Sequence, residues 1–248
     1  MMIHRMILIA AAGLLLTALA AQLGNPSSSL GQAALAANAP AQSTQAKKPV
    51  YQPPLRGAPT RRVGGATRGI GDEDIFVTVL APEGTGLTSH KSPTLYWFVS
   101  RVPTGQVDFA LTRRDRIEPV AKLILGTPAA GGISEVSLAE IGVRLEPGVT
   151  YEWSIVLVQD PLNRLSDLVT SGTLLRKAPD GALDKRLEAA DEESKFALYG
   201  EAGYWYDAIE LVSNAITNAS ASKHWRALRA NLLEQVGLRR VAAYDRST

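Results

Sequence analysis

The chain has 248 residues, of which 46% are hydrophobic and 20% are charged, a balance typical of a globular protein with one or two domains. It contains no cysteine, which excludes disulfide bonds, thiolate catalysis and cysteine-bound metal centres. Its formal net charge of +2 is too small to indicate nucleic-acid binding.

An uncharged apolar run lies near the N-terminus. Met6–Leu23 follows a single arginine, and small residues at Ala-x-Ala spacing occur near its end and again up to Ala36. A basic start, an apolar middle and a small-residue exit are typical of a secretory signal peptide. We therefore predict a signal peptide over residues 1–36, with Ala20 and Ala39 as alternative cleavage points and an uncleaved membrane anchor as the alternative interpretation. The mature protein is expected to be soluble, in the periplasm or outside the cell, without a transmembrane segment.

A basic segment rich in proline and glycine comes next. Residues 37–71 contain five prolines, six basic residues and no acidic residue. So few large apolar side chains predict a disordered linker. A solvated spacer is the favoured interpretation, and the alternative, which the charge allows, is a tether that contacts an anionic envelope surface.

Apolar and polar residues alternate from Ile75 to about Arg176, as they do in strands with one buried face. Breaks such as Gly84–Gly86 separate the strands. This pattern predicts an antiparallel β-sandwich over residues 72–178. The seven predicted strands are Ile75–Ala81, Thr94–Arg101, Gln106–Arg113, Val120–Leu125, Ile133–Ser137, Thr150–Gln159 and Leu168–Leu175.

One segment within this region sharpens the fold prediction. Leu145–Trp153 (LEPGVTYEW) resembles the start of strand F in fibronectin type III and immunoglobulin-like domains. By that resemblance, the Tyr151 hydroxyl bonds to upstream backbone and Trp153 is a core residue. We expect Trp97 to be the second large aromatic residue of the sandwich core.

The period changes to that of helices after Pro179, which begins a predicted helical domain over residues 179–248. Leu183 and Leu187 recur at helical spacing. The pattern then predicts helices over about 192–202, 204–219 and 222–236, the last ending at Gly237.

This helical tract is similar to tetratricopeptide sequence over about one and a half repeats. The similarity is carried by Ala197–Tyr199, Gly203, Trp205 and the Trp-x-x-Leu that begins at Trp225. Stacked helical arrays generally need three or more repeats. We therefore expect a helical appendage packed on the sandwich, with a peptide-binding groove as the alternative.

Four aromatic residues lie close together in this tract: Tyr199, Tyr204, Trp205 and Tyr206. Consecutive helical residues are about 100° apart, so they cannot share one narrow face. We expect Trp205 to fill the helix–helix core and Tyr206 to pack between the two domains. Tyr204 is expected to be the more exposed tyrosine.

The order of these parts resembles the secreted cyanobacterial family catalogued as domain of unknown function 928. The resemblance is expected over about residues 53–238 and implies export and this architecture, but no activity. It is carried by Thr67–Gly69, Pro93–Val99, Leu145–Trp153, Asp160-Pro161, Ala197–Tyr199, Gly203 and Trp205–Ala208.

Catalytic and metal-binding motifs are not found in the sequence. No Gly-x-Ser-x-Gly or His-x-x-x-His occurs, and His90 and His224 are expected to be inert. Calcium ligands at Asp160, Asn163 and Asp167 are a weaker alternative to turn bonds and to an Arg164–Asp167 ion pair. No cofactor and no metal are therefore expected.

The sequence favours an exported, non-enzymatic binding or scaffolding protein of the cell envelope. An envelope hydrolase and a purely structural envelope component are the alternatives. The expected partner is another envelope protein or an anionic envelope surface, and nucleic acid is not expected. The candidate structural or interaction residues are Trp97, Tyr151, Trp153, Tyr199, Tyr204, Trp205, Tyr206 and Trp225.

Export makes a direct prediction about the mature N-terminus. N-terminal sequencing of protein recovered from the periplasm or medium should begin near Ala37, because the Ala-x-Ala exit ends at Ala36. Full-length protein found only in the cytosol would contradict the prediction.

Overall fold

A computed structural model describes residues 50–54, 62–63, 66–68, 75–218 and 222–248. All of them fall within one compact unit, Ala46–Thr248. The predicted signal peptide and much of the predicted linker lie outside the described residues. Within the described part, none of the helices combines the length and the apolar character needed to cross a membrane.

The β part of the described chain consists of two sheets. One has four strands in the order β1-β2-β4-β7 and is antiparallel; the other has five, in the order β3-β9-β8-β5-β6. The strands are β1 (Ala66–Arg68), β2 (Ile75–Val79), β3 (Thr85–Thr88), β4 (Thr94–Val99), β5 (Gln106–Arg113), β6 (Pro119–Leu125), β7 (Gly132–Ser137), β8 (Thr150–Val158) and β9 (Leu168–Arg176).

All seven predicted strands are present, but β1 and β3 were not predicted from the sequence. The Gly84–Gly86 stretch was assigned to a break, whereas β3 begins at Thr85 and pairs with β9 in parallel. Close packing restricts position 86 to glycine, since an added Cβ would lie 2.8 Å from a ring carbon of Tyr206. The expectation of a purely antiparallel β part is therefore wrong at this edge.

The predicted disordered linker contains residues that pack against the body of the protein. Tyr51 is buried, its ring meets that of Trp205 edge to face at 5.0 Å, and its N–H donates to Gln235 Oε1 at 2.8 Å. Arg62 Nη1 donates to the carbonyls of Ala81, at 2.7 Å, and Val236, at 3.1 Å. The disorder prediction is wrong for these residues, because each has a partner in the folded part.

Side chains from both sheets contribute to one hydrophobic core, which includes Trp97 and Trp153. The sheets are also joined by the Val79 N–H, which donates to Thr170 Oγ1 at 3.2 Å. Tyr151 Oη accepts a hydrogen bond from the Glu146 N–H at 3.1 Å. This is the bond to upstream backbone that the Leu145–Trp153 segment implied.

Five helices follow the sheets: α1 (Gly181–Ala189), α2 (Glu192–Glu201), α3 (Trp205–Asn218), α4 (Ser222–Gln235) and α5 (Arg239–Ser247). The three predicted helices correspond to α2, α3 and α4. Gly237, with φ of +78°, ends α4 as expected, but the chain then forms α5. This short helix was missed because only Val241, Ala242 and Asp245 of it are buried.

Helices α3 to α5 cover the face of the four-stranded sheet that carries Thr94, Tyr96 and Phe98. The Phe98 ring lies 5.2 Å from that of Tyr244 on α5, and both rings meet edge to face. The guanidinium of Arg240 lies 4.3 Å above the ring of Phe76 on β2. Strand β4 is therefore buried on both faces, as its nearly continuous apolar sequence suggests.

Tyr206, at the start of α3, joins the helices to the five-stranded sheet. Its hydroxyl accepts from Trp153 Nε1 and donates to the carbonyl of Thr173, each at 3.0 Å. The neighbouring Trp205 Nε1 donates to the Leu80 carbonyl at 2.8 Å. The expected position of Tyr206 between sheets and helices agrees with these contacts. Tyr204 is buried as well, and its hydroxyl donates to the Ala178 carbonyl. It is the more exposed of the two tyrosines, at 4% against 1%, but neither faces solvent.

Loss of the Tyr206 hydroxyl should destabilise the whole compact unit. Tyr206→Phe leaves the buried Trp153 N–H without its acceptor, which costs about 1–3 kcal/mol of unfolding free energy. Calorimetry of Tyr206→Ala, which removes the ring as well, should show the single wild-type transition broadened or split.

Tyr204→Phe is the matched control, because its hydroxyl reaches only one carbonyl in a partly buried place. We expect a smaller loss for this variant. Wild-type protein that already unfolds in two steps would contradict an interlocking role for Tyr206.

Candidate functional site

A stripe of polar residues on α3 faces the four-stranded sheet. Asp207, Glu210, Ser213 and Thr217 recur every three or four residues, so they lie on one side of the helix. We call these four residues and their partners the polar seam. It has two parts, one at the β3–β4 connection and one beside α4 and α5.

The first part of the seam is built on Asp207, which is 1% exposed. The Ser89 N–H donates to both Asp207 carboxylate oxygens, at 3.1 and 3.0 Å, and the Ser89 hydroxyl donates to Oδ1. His90 Nε2 lies 3.6 Å from Asp207 Oδ1, and its Nδ1 lies 3.0 Å from Glu210 Oε2. Thr94 on β4 donates to the other oxygen of Glu210 at 2.9 Å.

Two groups in this cluster have raised pKa values. Burial raises the pKa of Asp207, although the charge of His90 and hydrogen bonds from Ser89 oppose it. The hydrogen bond to Glu210 raises the pKa of His90, and the charges of Asp207 and Glu210 act in the same direction, while burial opposes them.

Serine, histidine and carboxylate side chains are the components of hydrolytic catalysis, but here the hydrogen bonds do not run from serine to histidine to carboxylate, as they do in a catalytic triad. The Ser89 hydroxyl donates its hydrogen bond directly to the Asp207 carboxylate. In a catalytic triad the serine hydroxyl instead donates to a base, usually histidine, which a third group orients. The cluster therefore works in this arrangement as a clamp between the β3–β4 connection and α3.

The second part of the seam is a buried ion pair between α4 and α5. Arg229 donates from Nε to Asp245 Oδ2 at 2.8 Å and from Nη2 to Oδ1 at 2.7 Å. Its Nη1 donates to Ser213 Oγ at 2.9 Å. Both charged side chains are nearly inaccessible to solvent. Together with the bond to Ser213, this ion pair links α3, α4 and α5. Breaking a buried pair typically costs about 3–5 kcal/mol, so the link is a strong one.

A cleft of about 250 Å³ opens beside this ion pair, between the four-stranded sheet and the helices. Ile133 and Ile216 supply its apolar surface. Its volume is slightly below the range of about 300–1,000 Å³ that is usual for sites of drug-sized ligands, so a small ligand fits it. The polar residues that line the cleft are Tyr96, Glu135, Ser213, Thr217, Arg226, Arg229 and Tyr244.

The two walls of the cleft carry opposite charges. Arg226 and Arg229 belong to α4, while Glu135 belongs to β7 and stands opposite Tyr96 of β4 in the strand register. Burial raises the pKa of Tyr96, and its hydrogen bond to Glu135 acts in the same direction. The helix wall is therefore basic and the sheet wall acidic.

The eight aromatic residues singled out from the sequence do not line the cleft, and most of them belong to the buried core. Tyr199 is half-buried, and its ring lies 6.2 Å from that of Tyr204. The other seven are buried: Trp97, Tyr151, Trp153, Tyr204, Trp205, Tyr206 and Trp225.

The charged residues of the seam were not predicted from the sequence: His90 was expected to be inert, and no charged residue of the helices was singled out. A signal was available for Arg229 and Asp245. Both occupy positions where the helical period places buried residues, since Arg229 lies four residues after Trp225 and Asp245 lies four residues after Val241. Asp207 likewise lies between Tyr206 and Ala208, which are both buried.

The loop between β8 and β9 contains the residues considered for calcium. Asp160 Oδ1 accepts from the Leu162 N–H at 2.8 Å, and Arg164 Nε donates to Asp167 Oδ2 at 2.6 Å. The turn bond and the ion pair expected from the sequence are therefore present. Among the described residues, no three or more histidine or acidic side chains are arranged so that they could hold a metal ion.

The fold and the cleft define a protein of two β-sheets with a C-terminal helical layer and a polar cleft where the two meet. Residues 63–245 match the model of a family described as Domain of Unknown Function (DUF928). The chain belongs to this family, as the sequence resemblance suggested. Comparison with curated proteins finds no match.

The His90 cluster predicts a pH-dependent stability. A group whose pKa is higher in the folded chain stabilises it below the unfolded value, and this contribution is lost as pH rises through the folded value. The free energy of unfolding should therefore fall as pH rises above about 6.5. Asp207, whose pKa is also raised, acts in the same direction from a lower pH.

Urea unfolding between about pH 5.5 and 8.5 measures this fall. His90→Gln should flatten it, because glutamine carries no titrating proton. The matched control is His224→Gln, since the His224 side chain is half exposed and its ion-pair partner, Glu193, is also exposed. Equal pH slopes in the wild type and both variants would show that His90 has no such role.

Proposed function

We propose that this protein is an exported, non-enzymatic binding or scaffolding protein of the cell envelope. In this proposal it holds a partner protein on an apolar surface of the five-stranded sheet. The two sheets are taken as an immunoglobulin- or fibronectin-like sandwich, and the helices as a tetratricopeptide-like appendage. Export is supported by the apolar run and its small-residue exit near the N-terminus.

The observation that carries this proposal is a group of exposed aliphatic side chains. Leu162 and Leu165, in the β8–β9 loop, are 96% and 94% exposed, and Ile124 of β6 is 72% exposed. Val169 of β9 is also exposed. We call these four residues the aliphatic surface.

Strand register brings members of the aliphatic surface into one row. Ile124 pairs with Asp108, Asp108 with Val156, and Val156 with Val169. The loop joins this row because Arg164, between the two leucines, contacts Asp108 at 3.3 Å. Exposed aliphatic side chains gathered in this way are typical of a surface that another protein covers.

The rigid attachment of the helices supports a scaffolding role. The Tyr206 hydroxyl ties α3 to Trp153 and Thr173, so the aliphatic surface and the helical layer keep a fixed relation. A protein that binds partners on two sides gains from such rigidity, because less conformational entropy is lost on binding.

A hydrolase is the second candidate function, and the meeting of Ser89, His90, Asp207 and Glu210 favours it. It requires a rearrangement that passes the Ser89 proton to His90. Covalent labelling of Ser89 by a fluorophosphonate would support this function over binding.

The aliphatic surface can be tested by replacing two of its members. Ile124→Asp combined with Leu165→Asp should reduce capture of a partner from envelope extract by about tenfold or more, since burying one large aliphatic side chain is worth about 1.5–3 kcal/mol. Photo-crosslinking followed by quantitative mass spectrometry measures the capture.

Val102→Asp is the matched control, because Val102 is 44% exposed and belongs to the β4–β5 connection. It should capture the partner as the wild type does. Equal capture by the double variant and the wild type would rule out the aliphatic surface as the binding site.

A further inference from the structure

We infer that the cleft between the four-stranded sheet and the helices binds a small zwitterion, namely a free amino acid or a short peptide. In this arrangement Arg226 holds the carboxylate and Glu135 receives the ammonium group. The site lies on the opposite sheet from the aliphatic surface, so the inference goes beyond the proposed function and does not depend on it.

Arg226 supplies the carboxylate-binding group. Both oxygens of Asp245 already accept short hydrogen bonds from Arg229, and Arg226 lies 3.7 Å from Asp245 Oδ1, beyond hydrogen-bonding range. The Arg226 guanidinium therefore keeps donors for a ligand. Its planar fork matches a carboxylate with two parallel N–H bonds.

Glu135 supplies the opposite end of the site. Its carboxylate is exposed at the cleft, and the hydroxyl of Tyr96 lies within hydrogen-bonding reach of it. An ionised carboxylate has several acceptor positions, so Glu135 can receive an ammonium group while it keeps the Tyr96 bond.

The charges of the site select the class of ligand. Two arginines, Arg226 and Arg229, line the cleft together with one acid, Glu135. Asp245 does not line the cleft but pairs with Arg229, so the formal charges of these four residues sum to zero at neutral pH. A dianion such as phosphate therefore meets as much repulsion as attraction. A zwitterion can meet both walls at once, because it carries one charge of each sign.

The site is held in place before a ligand arrives. Arg229 is locked by Asp245 and Ser213, and this fixes the helix that carries Arg226. The volume of about 250 Å³ admits a ligand of amino-acid or dipeptide size, with Ile133 and Ile216 beside its aliphatic part. A wall fixed in this way lowers the ordering cost of binding.

Isothermal titration calorimetry on the full-length protein tests the inference. The probes are L-alanine and L-alanyl-L-alanine, with propionate, ethylamine and inorganic phosphate as single-charge and dianion comparisons. At least one zwitterion should bind more tightly than every comparison. Arg226→Gln should weaken that binding by about tenfold or more, and Glu135→Gln should reduce it to the level of propionate.

Arg246→Gln is the matched control, because Arg246 is an exposed arginine of α5 that pairs with Glu234 and does not line the cleft. It should bind as the wild type does. Circular dichroism checks folding, and Arg226→Lys replaces Arg226→Gln if the latter unfolds, since lysine lacks the planar fork.

Three results would overturn the inference: no binding of either zwitterion, any of the three comparison compounds binding as tightly as the better zwitterion, or unchanged binding in the Arg226 variant. Each of these would leave partner capture by the aliphatic surface untouched, so the two proposals fail separately.

Discussion

The architecture depends on the relay from Trp153 through Tyr206 to the carbonyl of Thr173. Two glycines make room for it, since an added Cβ would lie 2.8 Å from the Tyr206 ring at Gly86 and 3.3 Å from Trp153 Nε1 at Gly172. Because the relay is buried and both of its hydrogen bonds are made, it places α3 against the β part in one orientation. The positions of the other helices depend in turn on the position of α3.

The polar seam exists because two kinds of surface meet along α3. One side of the helix fills the apolar core with Trp205 and Val212, while the side facing β4 carries Asp207 and Glu210. Charges at such a junction are costly unless they are paired, and each pairing therefore also specifies how the layers align. The cleft opens where this pairing is incomplete, beside Arg226.

The two proposed surfaces have different physical characters. The aliphatic surface is open and apolar, so shape and area decide what covers it. The cleft is small and charged, so the spacing of its charges decides what enters it. A rigid body that carries both on opposite sheets can hold a partner and a small ligand without competition between them.

The sequence by itself determined the seven long strands and the three main helices, because period and turn chemistry are local properties. The Tyr151 bond was implied by the resemblance of Leu145–Trp153 to strand F of fibronectin- and immunoglobulin-like domains. Only the tertiary structure decided the parallel pairing of β3, the packing of Tyr51 and the cleft. These depend on contacts between residues far apart in the chain, such as His90 with Glu210 and Tyr51 with Gln235. A charged residue has the same local pattern whether it is solvated or buried with a distant partner, so its role emerges only once the layers are packed.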